Sequence, residues 1–350
     1  MPLPSGESTH GCPMPFRTHY CHIILAYSVS ISRGYAYFDA NSEEHEPKYY
    51  LVGIIYLLSE RDILETKMNI LHISDMHFGP RHWLGKSKLL LEKLNSYATD
   101  IVINTGDNTT DALENEFEAA GDFLKSIDCQ HIVSIPGNHD KRNMRSADYF
   151  RQYIDDIDVV RPLNRENCIK KNIFLDGNTN GIKEHFTDIN FLKNITINGE
   201  SILIVCLDSN SLYKDNGFVE KEILRTLSLA ISKESYDKII LLNHHSILDT
   251  DSDPLFNSKI VVEFVRENNI EHVFCGHTHH LSIMKSTDLY HKHSFTQYKN
   301  GSLSSGNILN DTNMFLYYKN FGTESMEIHV VRAIVENEGL RFKEEIITPY

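Results

Sequence analysis

The chain has 350 residues, of which 41% are hydrophobic and 23% charged, and this balance excludes a disordered, collagen-like or coiled-coil chain. Its 34 lysines and arginines stand against 48 aspartates and glutamates, for a formal net charge of -14, which disfavours nucleic acid binding through a broad basic face. Any anionic substrate must therefore be attracted locally. The 19 histidines are many for this length, so their positions are informative.

The cysteines and the apolar runs bear on location. Six cysteines are scattered without a CxxC pair or framework spacing, which is typical of reduced thiols and predicts a cytoplasmic protein. No stretch approaches the roughly 18 to 20 continuous apolar residues that a membrane span needs, so no membrane partner is expected. The sequence does not determine the oligomeric state.

The first part of the chain differs in texture from the rest. Residues 1–67 contain several prolines and an acidic string, and they show no periodic pattern long enough to predict a helix or a strand. Met68 stands directly before the first predicted core strand, where a start codon would be expected. We therefore predict an N-terminal extension over residues 1–67, poorly ordered or dispensable, and one catalytic domain over residues 68–350.

From Met68 onward, apolar runs alternate with stretches whose apolar residues have helical spacing. The predicted core strands, in chain order, are 70–73, 101–103, 131–135, 202–207, 239–242 and 272–275. The predicted helices between them are 86–98, 111–127, 219–232 and 259–268. This alternation predicts an α/β core, and strand-rich stretches at 174–197 and 315–347 predict a second sheet packed beside the first. We predict an α/β fold with two facing mixed β-sheets flanked by helices.

Residue types that bind metal follow five of the predicted strands. The segments are Asp75-Met76-His77, Gly106-Asp107, Gly137-Asn138-His139-Asp140, Asn243-His244-His245 and Gly276-His277-Thr278-His279. Ligands of open α/β sheets bind at the carboxyl ends of the strands, so the five segments are expected to converge there. Side chains at i and i+2 of an extended segment share a face, so Asp75 and His77 can point into one pocket, as can His277 and His279.

The converging ligands would be two carboxylates, one amide and four imidazoles. They are Asp75, Asp107, Asn138, His77, His244, His277 and His279. Seven ligands are too many for one ion and suit two, with one carboxylate as a bridge. Imidazole and oxygen ligands without thiolate favour Mn, Fe, Zn or Co over a structural zinc site. Two such ions would leave the pocket net positive, so it would hold a phosphate.

In their order, these segments resemble the five blocks of the calcineurin-like metallophosphoesterase family, which are D-x-H, GD, GNH-D/E, an isolated H and GH-x-H. The resemblance extends from Met68 to about residue 330 and implies a β-sandwich with a binuclear centre of divalent or trivalent transition-metal ions at the strand ends. It implies one ion held by Asp75, His77, Asp107 and His279. It implies a second ion held by Asp107, Asn138, His244 and His277, so Asp107 would bridge the two.

The resemblance also implies the chemistry. His139 would approach the phosphate as a general acid or stabilise developing charge, and Asp140 would orient its imidazole. A hydroxide bridging the two metals would be the nucleophile. The expected activity is metal-dependent hydrolysis of a phosphomonoester or phosphodiester, with a small phosphoester as the substrate.

A finer resemblance lies after the third block. The segment Leu207-Asp208-Ser209, followed by Gly217 and a helix, looks like the cyclic-nucleotide phosphodiesterase branch of the family. The fourth block lacks the proline that is usual in that branch. We therefore predict His244 as the metal ligand by the alignment of the block and keep His245 as second choice.

Two other functions are consistent with parts of the sequence. The start of the domain, LHISDMHFG, also resembles the repair-exonuclease branch, which predicts a DNA exonuclease or endonuclease. The acidic chain makes nucleic acid a less favoured partner. A non-catalytic scaffold of the same fold is the other alternative, and the intact ligand positions argue against it.

Overall fold

Strands and helices alternate through residues 67–80, 86–168, 173–174, 184–185, 187–249, 252–305, 313–336 and 339–349, which the computed structural model describes. The strands are β1 Ile70–Ile73, β2 Ile101–Asn104, β3 His131–Ser134, β4 Ile173–Phe174, β5 Glu184–His185, β6 Phe191–Ile197, β7 Glu200–Leu207, β8 Lys238–Asn243, β9 His272–Cys275, β10 Ser282–Asp288, β11 His293–Lys299, β12 Met314–Lys319, β13 Glu327–Val335 and β14 Leu340–Ile347. The predicted N-terminal extension lies outside the described residues, apart from Lys67.

The helices lie where apolar residues recur at helical spacing. They are α1 Ser87–Leu94, α2 Glu114–Lys125, α3 Ser146–Tyr149, α4 Lys221–Ile231 and α5 Ser258–Glu267, with 3₁₀ turns at His139–Lys141 and Arg165–Asn167 and a π turn at Phe150–Ile154. In α4, for example, Ile223, Leu227 and Ile231 are all buried along one face. Among the described residues, no helix is long and apolar enough to cross a membrane.

Twelve of the strands form two six-stranded sheets, one with the order β14-β13-β12-β1-β2-β3 and the other with the order β10-β11-β9-β8-β7-β6, while β4 and β5 form a small two-stranded sheet. In the first sheet β1, β2 and β3 are parallel and β12 runs antiparallel to β1. In the second sheet β7, β8, β9 and β11 are parallel, with antiparallel strands at both edges. The carboxyl ends of the parallel strands are therefore brought together within each sheet.

Two packed sheets with helices outside make four layers. Apolar side chains of both sheets, such as Ile103, Ile240 and Tyr318, form one buried cluster between them. A second cluster packs the other face of the second sheet against α4 and α5, and a third packs the first sheet against α1 and α2. Strands buried on both faces read as continuous apolar runs, which is why they were visible in the sequence.

The prediction of two facing mixed sheets flanked by helices is confirmed, but the assignment of strands to sheets was wrong. Residues 315–347 do not build a separate second sheet, because β12 pairs directly with β1 and adds β13 and β14 to the first sheet. Likewise β6 extends the sheet of β7 to β9. The six predicted core strands are instead divided equally between the two sheets.

Candidate metal centre

One group of ligand atoms comes from the loops after β1, β2 and β9. His279 Nε2 lies 3.2 Å from Asp75 Oδ1 and 3.0 Å from His77 Nε2. His77 Nε2 lies 3.7 Å from Asp107 Oδ2. Asp75, His77 and Asp107 are almost completely buried, while His279 is partly exposed. The structure thus brings together the four residues predicted for the first ion.

A second group lies on the other side of Asp107. His244 Nε2 is 3.5 Å from Asp107 Oδ1 and 2.9 Å from Asn138 Oδ1. His277 Nδ1 is 3.0 Å from the same amide oxygen. The two oxygens of Asp107 therefore face different groups, as a bridging carboxylate would.

Backbone carbonyls set the tautomers of two imidazoles in the second group. His244 Nδ1 lies 2.8 Å from the carbonyl oxygen of Thr105, and His277 Nε2 lies 2.9 Å from that of Asp253. A carbonyl oxygen only accepts, so each of these nitrogens carries the proton and donates it. The opposite nitrogens, His244 Nε2 and His277 Nδ1, present lone pairs toward Asn138 Oδ1.

A carboxylate sets the orientation of the Asn138 amide. Asn138 Nδ2 donates to Asp215 Oδ1 at 3.0 Å, and Arg142 Nη2 donates to the same oxygen at 3.1 Å. An ionised carboxylate only accepts, so the amide nitrogen faces Asp215 and the amide oxygen faces the two imidazoles. The lone pairs of Asn138 Oδ1, His244 Nε2 and His277 Nδ1 then face one another with no proton between them. This arrangement fits a bound cation.

The first group also fits a cation. Asp75 Oδ1 is buried and lies 3.2 Å from His279 Nε2, but it accepts no hydrogen bond from the described residues, although most buried polar atoms have a partner. Burial lowers the pKa of His77 well below its ordinary value and that of His244 to about 3, so both imidazoles are neutral, as metal ligands must be. Carboxylate, amide and imidazole ligands suit the transition metals that the sequence indicated.

The two carboxylates differ in their electrostatics. Burial opposes ionisation of Asp75, yet the attraction of the nearby His279 holds the pKa of its carboxyl well below its ordinary value. Burial and then the charge of Asp75 raise the pKa of Asp107 well above its ordinary value. A cation between the two groups would favour the ionised form of both.

The backbone around the ligands is strained. Five of the seven candidate ligands have left-handed φ angles, namely Asp75 at 53°, His77 at 49°, Asp107 at 52°, His277 at 81° and His279 at 58°. Such conformations are uncommon for non-glycine residues and cluster at functional sites. The expectation that the paired ligands share a face of an extended segment was therefore wrong, although they do converge.

Two glycines leave room for the carboxylates. A Cβ on Gly137 would lie 2.1 Å from Asp107 Oδ1, and one on Gly276 would lie 2.6 Å from Asp75 Oδ2. Both distances are far inside van der Waals contact. Glycine in these blocks is thus a steric requirement of the site.

His139 lies beside the first ligand group, with its ring 4.7 Å from the ring of His77, and the contacts of Asp140 differ from the expectation. His139 Nδ1 lies 2.7 Å from the carbonyl oxygen of Thr110, to which it must donate. The two oxygens of Asp140 accept from Asn108, Thr109 and Gly137. The carbonyl of Thr110, rather than Asp140, therefore orients the imidazole of His139. Asp140 instead connects the loop after β2 to the loop after β3.

The geometry favours His244 over His245 as the ligand. His245 Nε2 lies 2.8 Å from the carbonyl oxygen of Asp215, and its Nδ1 lies 2.8 Å from Ser209 Oγ. Both of its ring nitrogens are directed at hydrogen-bond partners of its own. His244 Nε2 instead faces Asn138 and Asp107.

The sequence did not identify the residues that accept hydrogen bonds from the candidate ligands and from His139. Thr105, Thr110 and Asp253 act through backbone carbonyls, which every residue possesses, so no sequence signal could have revealed them. Asp215 acts through its side chain, but it lies in a polar loop where an aspartate is unremarkable.

Comparison with known proteins identifies the family. Residues 68–281 match the family model described as calcineurin-like phosphoesterase. The chain is also 24% identical over 180 residues to a probable cyclic nucleotide phosphodiesterase of Coxiella burnetii, an alignment that covers 51% of this chain and 60% of that protein. The protein belongs to the calcineurin-like phosphoesterase family.

Two solved structures are similar to the chain at low sequence identity. Purple acid phosphatase PPD1 from yellow lupin is 10% identical with a TM-score of 0.48, covering 81% of this chain and 54% of that one. GAP50, the anchor in the inner membrane complex of Plasmodium, is 11% identical with a TM-score of 0.47, covering 79% of this chain and 90% of that one.

Proposed function

We propose that this protein is a metal-dependent hydrolase of phosphomonoesters or phosphodiesters. The ligands would be Asp75, His77, Asp107 and His279 for one ion, and Asp107, Asn138, His244 and His277 for the other. The observation that carries the proposal is the position of Asp107, whose two oxygens face two separate groups of lone pairs. Mn, Fe, Zn and Co all suit this mixture of imidazole and oxygen ligands.

Two ions would resolve the conflict between an acidic protein and an anionic substrate. When bound, they supply positive charge for the phosphoryl oxygens and lower the pKa of a water molecule toward neutrality. The chain's own contribution is to hold and orient the ligands. Arg142 is partly exposed and contacts Asp215 beside Asn138.

His139 supports proton transfer in this proposal. Its Nδ1 donates to the carbonyl of Thr110, so Nε2 is the nitrogen that exchanges a proton with the substrate. Its ring lies 4.7 Å from the ring of His77 and is mostly buried. A fixed imidazole next to the ligands can protonate the leaving oxygen as the ester bond breaks.

The substrate is proposed to be a small phosphoester, with cyclic nucleotides included because a curated relative is described as a probable cyclic nucleotide phosphodiesterase. The test is a screen of phosphomonoesters, cyclic nucleotides and single-stranded DNA after reconstitution with each metal, alongside elemental analysis. We expect about two metal equivalents and turnover of a small ester. Two bound equivalents without hydrolysis of any ester would reject the proposal, and turnover of DNA alone would favour the nuclease.

A further inference from the structure

A strained aromatic residue lies two residues before Asp215, whose carboxylate accepts from Asn138, and takes no part in the proposed chemistry. Tyr213 has a φ angle of 59°, and its side chain is 58% exposed. Its backbone N–H donates to the carbonyl of Lys141 at 3.0 Å. Lys141 is fixed by a buried ion pair with Asp208 at 2.5 Å. The backbone of Tyr213 is therefore held against an anchored neighbour.

The left-handed φ belongs to the tight turn of residues 211–214, which a hydrogen bond from the N–H of Lys214 to the carbonyl of Ser211 closes at 3.2 Å, but such a turn does not require a tyrosine. A left-handed φ suits glycine or asparagine, and outside the candidate ligands Asn198, Asn269 and Asn320 share it with Ala112 and Lys292. A large exposed ring gains little from burial. Strained backbone conformations cluster at functional sites, and five of the candidate metal ligands have the same left-handed φ.

A second exposed aromatic lies on the adjoining loop. Phe256 is 70% exposed, and its backbone N–H donates to the carbonyl of Gly217 at 3.1 Å. The N–H of Gly217 donates in turn to the carbonyl of Pro254 at 3.1 Å. The loop of Tyr213 and the loop of Phe256 are thus joined by two hydrogen bonds.

Both loops also contact the candidate ligands directly. Two residues after Tyr213, the carboxylate of Asp215 accepts from Asn138. Three residues before Phe256, the carbonyl of Asp253 accepts from His277. Both aromatic residues are therefore within a few residues of contacts to the second ligand group.

We propose that Tyr213 and Phe256 bind the nucleobase of a nucleoside phosphate whose phosphate lies at the metal centre. This inference rests on the proposed function and narrows its substrate class. Every nucleobase has a flat apolar face, and stacking on aromatic side chains is the ordinary way in which proteins hold one in solvent-accessible sites. Simple sugar phosphates have no such face.

The test compares two ligands that differ by the base alone. Binding of adenosine monophosphate and of ribose 5-phosphate to the metal-loaded full chain is measured by titration calorimetry. We expect adenosine monophosphate to bind more tightly. Tyr213→Ala or Phe256→Ala should weaken its binding by roughly 5- to 100-fold and narrow its advantage over ribose 5-phosphate.

Three further variants separate stacking from folding. Tyr213→Phe keeps the ring and should retain the preference for the base. Tyr213→Gly should raise the Tm, because glycine relieves the strain at φ 59°, and yet weaken binding of adenosine monophosphate. Tyr290 is an exposed aromatic at the tip of the β10–β11 hairpin, so Tyr290→Ala is the matched control and should bind both ligands as the parent does.

The outcomes distinguish this inference from the proposed function. Ester hydrolysis with equal affinity for the two ligands, or variants that weaken both ligands alike, would overturn the nucleobase site and leave the hydrolase in place. A base preference that depends on Tyr213 in a protein that hydrolyses no ester would support the nucleobase site and reject the hydrolase.

Discussion

Removing the carboxylate of Asp215 should selectively weaken the second metal position. Asp215 Oδ1 accepts from Asn138 Nδ2 at 3.0 Å and is the contact that turns the amide oxygen toward His244 and His277. In Asp215→Ala the amide can rotate and direct its nitrogen, which cannot bind a metal, at the two imidazoles. The four residues proposed for the first ion do not depend on this orientation.

The size of the effect follows from the type of contact. Loss of an outer hydrogen bond to a metal ligand typically costs 10- to 100-fold in metal affinity, which corresponds to about 1.4 to 2.7 kcal/mol. At a limiting metal concentration, we therefore expect about two metal ions per chain in the parent protein and about one in Asp215→Ala. Asp215→Asn should fall between them, because its side-chain oxygen still accepts while the charge is lost.

The assay is elemental analysis after dialysis against a series of free Mn²⁺ concentrations. Asp111 provides the matched control, since its carboxylate also lies near Arg142, at 3.8 Å, but no contact joins it to Asn138 among the described residues. Asp111→Ala should keep both equivalents. Equal metal loss in the two variants would assign the effect to surface charge and refute the reasoning about the amide.

Four other changes test separate parts of the site and fold. His139→Ala should keep its metal but lose rate by roughly 10²- to 10⁴-fold, and the loss should be smallest for leaving groups such as nitrophenolate that need no proton. Steady-state rates on two esters with different leaving groups check this, and an equal loss on both would reject His139 as the general acid. Asn138→Ala should instead lower metal content and affect all esters alike. Burial lowers the pKa of His72 from 6.5 to about 3, so between these pH values only the unfolded chain protonates its imidazole, and the free energy of unfolding falls by about 1.4 kcal/mol for each pH unit of acidification. Urea unfolding at pH 7 and pH 5 should show this loss in the parent and not in His72→Leu. An equal change in the free energy of unfolding of both proteins would contradict the prediction. A chain beginning at Met68 should fold and keep its activity, because Met68 is buried and its carbonyl accepts from the backbone N–H of Phe321; an insoluble product would show that the preceding residues are needed.

The residue types of the site could be predicted from the sequence, but its geometry could not. Asp75 and His77 were expected to converge because alternate residues of a strand share a face. They converge with φ angles of 53° and 49°, through a tight left-handed backbone. The sign of φ in a non-glycine residue depends on tertiary contacts, such as the hydrogen bond from the N–H of Asp75 to the carbonyl of Gly106. No local pattern encodes such a contact.

The sheets show the same limit at longer range. Each core strand was recognisable from its apolar run, but its neighbours were not. Ile70 in β1 faces Tyr318 in β12 across nearly the whole domain. Pairing at that separation depends on the complementary packing of the two sheets, so composition indicates a strand without indicating its partner.

The candidate metal centre costs the chain folding free energy. Asp75 and Asp107 are buried, five ligands have left-handed backbones, and lone pairs of Asn138, His244 and His277 meet without a proton between them. Short strands buried on both faces lie directly before these residues and hold them in place. Cations bound there would offset the repulsion only in the folded state, since the unfolded chain separates the ligands. In the proposed site, metal binding would thus be coupled to folding, and the residues proposed for catalysis would also determine part of the stability of the domain.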